Sequence, residues 1–253
     1  MGYRLPFQNF LTPPIGLHRL LPILALLLLL GGGCGRQGVD ERFAVRGLDV
    51  SRYQGVVDWD EVATGGEHFT FIKASEGREH RDLAFQANWV GAGRAGLRRG
   101  AYHYLLPHVS IEEQLSNYID LVKLEPGDLP PVLDVEDIGH LPAPQLVRHV
   151  RQWLELAEAH YGVKPILYTG INFYNRYLAG QFNDYPLWLA RYDANDPVTI
   201  CGRSYQFWQY TDRARVRGVI GDVDRNVFSG SLQDLAAICV PAAVEEVKTA
   251  TAK

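Results

Sequence analysis

Asp134 and Glu136 stand two residues apart in Pro130-Pro131-Val132-Leu133-Asp134-Val135-Glu136-Asp137, an apolar run that carries two carboxylates. Residues at i and i+2 of a strand share a face, so both acids point into one space. Burying two like charges costs several kcal/mol unless they are paired, and a chain that sets them together can use them as an acid and its ionised partner. Solvated acids at the end of a strand give the same pattern. The pair therefore has to be weighed with the residues that surround it.

The elements that must position the pair alternate between strand and helix. Pro130-Pro131 and Ile138-Gly139-His140 bound the acidic run, which reads as a buried strand opening into a loop. Further strands are expected at 45–50, 69–74, 100–105, 165–169, 187–190, 205–210 and 222–224. Helices are expected from 58, over 82–95, over 110–123 with a Ser110/Glu113 capping box, and over 143–161 closed by Gly162. Strand and helix in regular succession give an α/β fold with a parallel sheet. Seven or eight strands in one domain of this size predict an irregular TIM-like (β/α) barrel with its chemistry at the carboxyl ends of the strands. The last third has few crossover helices, so some antiparallel pairing is expected at the close. A doubly wound open sheet is disfavoured, because Asp49-Val50-Ser51-Arg52-Tyr53-Gln54-Gly55 is acidic and aromatic where a Gly-rich phosphate loop belongs.

The strand ends then gather a consistent set: Asp49, Tyr102, Tyr104, Asp134, Glu136, Tyr168, Trp188 and Asp224, with Tyr210 as a further aromatic. Pyranose rings stack their CH faces on aromatics and offer hydroxyls to acids, so a sugar polymer suits such a set. Each aromatic alone is also an ordinary core residue. His103 alternates with Tyr102 and Tyr104 and should face outward beneath a helix in a structural role. The eight histidines are scattered and no paired cysteine spacing occurs, so neither a metal nor any other cofactor is expected.

The N-terminus has Arg4 and Arg19 before an apolar run from Leu20 to Leu30, then Gly31-Gly32-Gly33-Cys34. The run is shorter than the roughly 20 residues a membrane span needs, so residues 1–33 read as a secretory signal. Cysteine directly after small residues resembles a bacterial lipoprotein signal, with Cys34 acylated as the first mature residue and the protein held at a membrane facing the periplasm or exterior. The resemblance departs at Gly31, where Leu is preferred, and simple secretion uses the same small residues. Residues 34–44 are expected to be a tether and 241–253 a tail of no assigned role. Cys201 and Cys239 remain as a pair that could form a disulfide in an oxidising compartment, or stand as two buried thiols. Two of the 25 basic residues and none of the 29 acidic ones precede Cys34, leaving a mature formal charge of −6. That argues against nucleic acid as a partner and fits a neutral or mixed-charge polymer. About 220 residues make one large domain, expected to be a monomer.

Six ordered stretches carry a family resemblance: Gly47-Leu48-Asp49-Val50-Ser51-Arg52-Tyr53-Gln54-Gly55, Phe71-Ile72-Lys73-Ala74-Ser75-Glu76-Gly77, Gly100-Ala101-Tyr102-His103-Tyr104, Leu133-Asp134-Val135-Glu136, Trp208-Gln209-Tyr210 and Asp222-Val223-Asp224-Arg225-Asn226. Together they resemble the family 25 glycoside hydrolases, lysozymes that cleave peptidoglycan as N-acetylmuramidases. The resemblance implies a catalytic domain over 45–240, Glu136 as general acid and base, Asp134 as its partner and Asp49 and Asp224 as flanking acids. It also implies peptidoglycan glycan strands as substrate, cut at the β-1,4 bond between N-acetylmuramic acid and N-acetylglucosamine with retention. A wall-binding protein without turnover would keep the same groove. A chitinase-like hydrolase would carry Asp-x-x-Asp-x-Asp-x-Glu, a run interrupted here by Val132.

Overall fold

The computed structural model describes residues 38–193 and 195–242. The expected signal, Cys34 and most of the expected tail lie outside the described residues. Eight strands close a barrel: β1 (Val45–Val50), β2 (Phe69–Glu76), β4 (Arg98–Tyr104), β5 (Val132–Asp134), β6 (Ile166–Gly170), β7 (Leu187–Ala190), β8 (Phe207–Ala214) and β9 (Val223–Phe228). Strands β1 to β8 of the barrel run parallel, while β9 pairs antiparallel with both β8 and β1. The irregular barrel with antiparallel closure is thus the fold expected from the spacing of the elements. A two-residue β3 (His80–Arg81) folds back on the end of β2, an addition that apolar periodicity does not signal.

Period-two alternation divides every barrel strand between an inner and an outer face. Val45, Phe69, Phe71, Val132, Ile166, Phe207 and Phe228 fill the interior. Their rings interlock, with Phe71 stacked on Trp188 at 4.3 Å and set edge-on to Phe207 at 5.1 Å. Two glycines make room for them. A Cβ at Gly47 would lie 2.4 Å from the Phe69 carbonyl oxygen, and one at Gly100 would lie 2.7 Å from the Phe71 ring.

The outer face is covered by helices. In α5 (Ala143–Tyr161), Leu146, Val150, Trp153, Leu154 and Ala157 form one buried stripe at helical spacing, and Gly162 ends the helix in the left-handed conformation. The helix α4 (Ile111–Leu121) is capped by Ser110, which accepts from the Glu113 amide. The reciprocal half of the expected box, the Ser110 amide donating to the Glu113 carboxylate, is absent, and the Ser110 hydroxyl donates to Glu112. His103 faces outward as expected. It is fully buried between Ser75 at 2.8 Å and Gln114 at 3.2 Å, and burial lowers its pKa to about 4. The expected 82–95 helix is shorter, α3 (Phe85–Arg94), because the Asp82 carboxylate accepts the Ala84 and Arg52 amides and turns the chain before the helix begins.

Two expectations are corrected. The stretch expected as a tether is docked from Val39 onward. The short helix α1 (Val39–Arg42) and Phe43 cover Trp208 and Val227 on the outside of β8 and β9, where no crossover helix lies. Asp40 pairs with Arg225 at 2.8 Å, and Arg42 pairs with Asp196 at 2.7 Å. Cys201 and Cys239 are both free thiols, so the expected disulfide does not form. Cys201 is exposed beside Thr199 and Tyr174, whereas Cys239 is buried against Leu235 and Arg98. No helix among the described residues is long and apolar enough to cross a membrane.

Candidate active site

Along each inward face the apolar positions give way to polar ones at the carboxyl end of the barrel. Asp49 follows Val45 and Gly47 on β1, Lys73 follows Phe69 and Phe71 on β2, Tyr102 follows Gly100 on β4, and Asp134 follows Val132 on β5. Asp224 and Asn226 arrive from the opposite direction on β9, with Asp224 level with Asp49. Asp49, Tyr102, Asp134, Glu136, Tyr168, Trp188, Tyr192, Gln209 and Asp224 line one pocket of about 110 Å³. Glu136, Tyr168 and Tyr192 also border a groove of about 630 Å³ lined by Asn172, Phe173, Asn175 and Arg191. A small acidic pocket opening into a long groove suits one unit of a polymer held within a chain.

Two carboxyl pairs face each other. Asp134 is buried at 5% exposure, and burial, then Glu136, push its pKa well above the carboxylate range while Lys73 opposes them. Glu136 lies two residues past the strand end, open to the groove but walled by protein, and burial raises it as well. Both carboxyls are thus raised together, and Asp134, the more deeply buried, is the one held more firmly against ionisation. Asp134 Oδ1 is buried with no partner among the described residues. In the second pair, burial and the Asp224 charge raise Asp49, while burial lifts Asp224 to about 6.

Asp49 is held by two amides. Gln209 Nε2 donates to its Oδ2 at 2.8 Å, and Asn226 Nδ2 donates to the same oxygen at 2.7 Å. Trp188 Nε1 donates to Asn226 Oδ1 at 2.9 Å, and the hydroxyls of Tyr168 and Tyr192 donate to Gln209 Oε1 at 2.7 and 2.9 Å. Lys73 pairs with Glu76 at 2.7 Å and lies over the Tyr104 ring.

Of the residues expected at the site, Asp49, Tyr102, Asp134, Glu136, Tyr168, Trp188 and Asp224 meet in the pocket. Tyr104 stands beside it, its pKa raised to about 12 by burial and then by Glu136. Trp188 is a floor rather than a stacking platform, being 2% exposed with its indole N–H committed to Asn226. Tyr210 does not belong to the site. Its neighbour Gln209 faces inward, so Tyr210 faces outward, where its hydroxyl bonds Asp40 and its ring packs against Trp208. Lys73, Tyr192, Gln209 and Asn226 complete the site without having been singled out from the sequence. Three carry a legible signal: Lys73 is two past Phe71, Asn226 is two past Asp224, and Gln209 is two past Phe207.

A family model described as glycosyl hydrolases family 25 matches residues 48–219. The protein YegX of Escherichia coli strain K12 is 44% identical over 200 residues, which cover 77% of this chain and 73% of YegX. Lysozyme M1 of Streptomyces globisporus is 33% identical over 219 residues, covering 79% of this chain and 73% of its own. The solved structure of a family 25 glycosyl hydrolase from Bacillus anthracis superposes with a TM-score of 0.75 at 30% identity, over 81% of this chain and 97% of that one.

Proposed function

The chain belongs to glycosyl hydrolases family 25 and is a glycoside hydrolase, and on that premise we propose that it cleaves the β-1,4 bond between N-acetylmuramic acid and N-acetylglucosamine in peptidoglycan. One observation carries the mechanism: the unpartnered, buried Asp134 Oδ1 beside Glu136. A buried carboxylate oxygen without a donor costs free energy until a ligand supplies one. The N–H of a sugar N-acetyl group is such a donor, and accepting it turns the acetyl oxygen toward the anomeric carbon.

The proton moves accordingly. As sugar fills the groove and displaces water, Asp134 yields its proton to Glu136 and becomes the carboxylate that accepts the N-acetyl N–H. Glu136 then protonates the leaving glycosidic oxygen. The acetyl oxygen attacks the anomeric carbon as the bond to the leaving group breaks, closing a cyclic intermediate and inverting the centre. Water, deprotonated by Glu136, opens that intermediate from the other face and inverts the centre again, so configuration is retained. Inverting enzymes need their carboxyls roughly 6.5 to 9.5 Å apart to seat a water. Asp134 and Glu136 stand two residues apart and line the same pocket of about 110 Å³, which favours the retaining geometry. Asp49 and Asp224 supply negative charge opposite the developing positive charge and accept sugar hydroxyls.

Mass spectrometry of the fragments released from purified peptidoglycan tests the bond assignment. New reducing ends on N-acetylmuramic acid are expected, and reducing ends on N-acetylglucosamine would refute it. Proton NMR of the first product formed should show the β anomer; the α anomer first would overturn retention. Export by residues 1–33 and acylation at Cys34 are part of the same proposal, supported by the apolar run and the Gly-Gly-Gly-Cys sequence.

A further inference from the structure

The groove beside the pocket has one wall with no helix behind it. Among the described residues no helix intervenes between β7 and β8, and the irregular chain past Ala190 sets Arg191, Tyr192, Asp193 and Val198 along the groove. Tyr192 is 54% exposed while its hydroxyl is committed to Gln209, so it is the ring that stands open to a sugar. Such a wall weakens binding if it has to be ordered when the glycan arrives.

The contacts that hold this wall lead outward to the docked N-terminal segment. Arg42 Nη1 pairs with the Asp196 carboxylate at 2.7 Å, and the Asp196 carbonyl accepts from Arg191 Nη1 at 3.3 Å. The Arg191 carbonyl accepts from the Trp208 indole at 2.9 Å, and the Arg42 guanidinium lies 5.6 Å from the centre of the Trp208 ring. The circuit is closed: Arg42 touches the wall directly through Asp196 and again through Trp208. Its own position is fixed, since Val39 and Phe43 pack on Trp208 and Val227 while Asp40 pairs with Arg225. From Arg191 the restraint passes to the site, because the Arg191 amide donates to the Gln209 carbonyl at 3.0 Å and the next residue is Tyr192. Arg42 precedes residues 48–219, the stretch the family model matches, so the wall is braced from outside that stretch.

We infer that Arg42 is a positioning residue for glycan binding, holding from outside the barrel the wall of the groove that carries Arg191, Tyr192 and Asp193. The inference rests on the proposed seating of glycan in that groove, and one of its readouts needs no glycan. With the circuit cut, the wall is in its binding position only part of the time, and apparent affinity falls by that fraction. An exposed ion pair and a cation–π contact are each worth a few-fold, so affinity should fall about 3- to 10-fold.

The probe is a soluble glycan of alternating N-acetylglucosamine and N-acetylmuramic acid, titrated by calorimetry into the whole protein carrying Glu136→Gln. Adding Arg42→Ala should raise Kd by that factor. In the active protein KM on the same glycan should rise equally and kcat should stay within about two-fold, because bound glycan itself holds the wall. Arg42→Lys keeps a cation for Asp196 and Trp208 and should restore most of the affinity. Asp196→Asn cuts the same circuit at an exposed side chain, so it should resemble Arg42→Ala and add little to it; it decides alone should Arg42→Ala not fold. Without glycan, hydrogen exchange at Arg191 and Tyr192 should quicken in Arg42→Ala while β6 is unchanged. Unchanged Kd and KM in both variants of a protein that binds glycan, or a loss confined to kcat, would overturn the inference. Faster exchange in a protein that neither binds nor cleaves peptidoglycan would reject the proposed function and keep Arg42 as the brace of this wall. Normal hydrolysis with unchanged exchange and affinity would do the reverse.

Discussion

Asp224→Asn should make the protein more stable at neutral pH and less active. Burial lifts the Asp224 carboxyl from 3.8 to about 6, and the Asp212 and Glu136 charges add to it. A carboxyl raised on folding binds its proton more tightly in the native state, so its contribution to stability is full below about pH 4 and is lost as pH rises to about 6. The difference corresponds to about 3 kcal/mol at pH 7, and solvent at the groove mouth screens this to about half or more of that figure. Asparagine keeps the shape and can donate to Asp49, so the substitution removes the cost and leaves the packing. For a domain of this size the melting temperature should rise by roughly 3 to 10 °C at pH 7 and barely change at pH 3.5. Urea unfolding at both pH values measures the difference directly. Equal changes at the two pH values, or a loss of stability at pH 7, would refute the claim that Asp224 is held in the fold against its own ionisation.

Glu136→Gln should lose about 10²- to 10⁴-fold in hydrolysis with glycan binding retained, and wild-type turnover of purified peptidoglycan by this variant would sink the acid assignment. Asp134→Asn should be impaired to a comparable degree, measured in the same turbidity assay. His103, with its pKa lowered to about 4 by burial, should show no ring titration by NMR between pH 8 and 5; a midpoint near 6.5 would contradict its burial. Cys34→Ala should abolish membrane partitioning of the exported protein, since an acyl chain contributes about 0.8 kcal/mol per buried CH₂, and unchanged partitioning measured by fractionation would reject acylation.

The barrel was legible because each strand repeats one pattern, and a parallel sheet has few ways to close once the strands and the long helix at 143–161 are placed. The acids were legible because carboxylates in an apolar run are expensive and therefore conspicuous. Gln209 and Asn226 were harder to see, since an uncharged amide inside a strand carries no such signal and its value comes from Asp49, 160 and 177 residues away in sequence. Tyr210 misled for a related reason: an aromatic is equally at home on either face, and only the register of β8 with β9 places it outside. The docked segment at 39–43 looked like a linker because its polar residues pair with Arg225 and Asp196, both distant in sequence.

Under the proposed acylation of Cys34, that docked segment would fix how far the active site can travel. A fully extended chain spans about 3.5 Å per residue, so a free stretch from residue 34 to 44 would let the barrel roam about 38 Å from an acylated Cys34. If Cys34 is acylated as proposed, Val39 held against β8 and β9 limits the intervening chain, 34–38, to a contour of about 17 Å. The circle of wall within reach shrinks with the square of that radius, to about one fifth. On that proposal Asp40 and Arg42 would act as a gauge of territory: loosening them by substitution would lengthen the leash and widen the patch of peptidoglycan that one acylated molecule could clear.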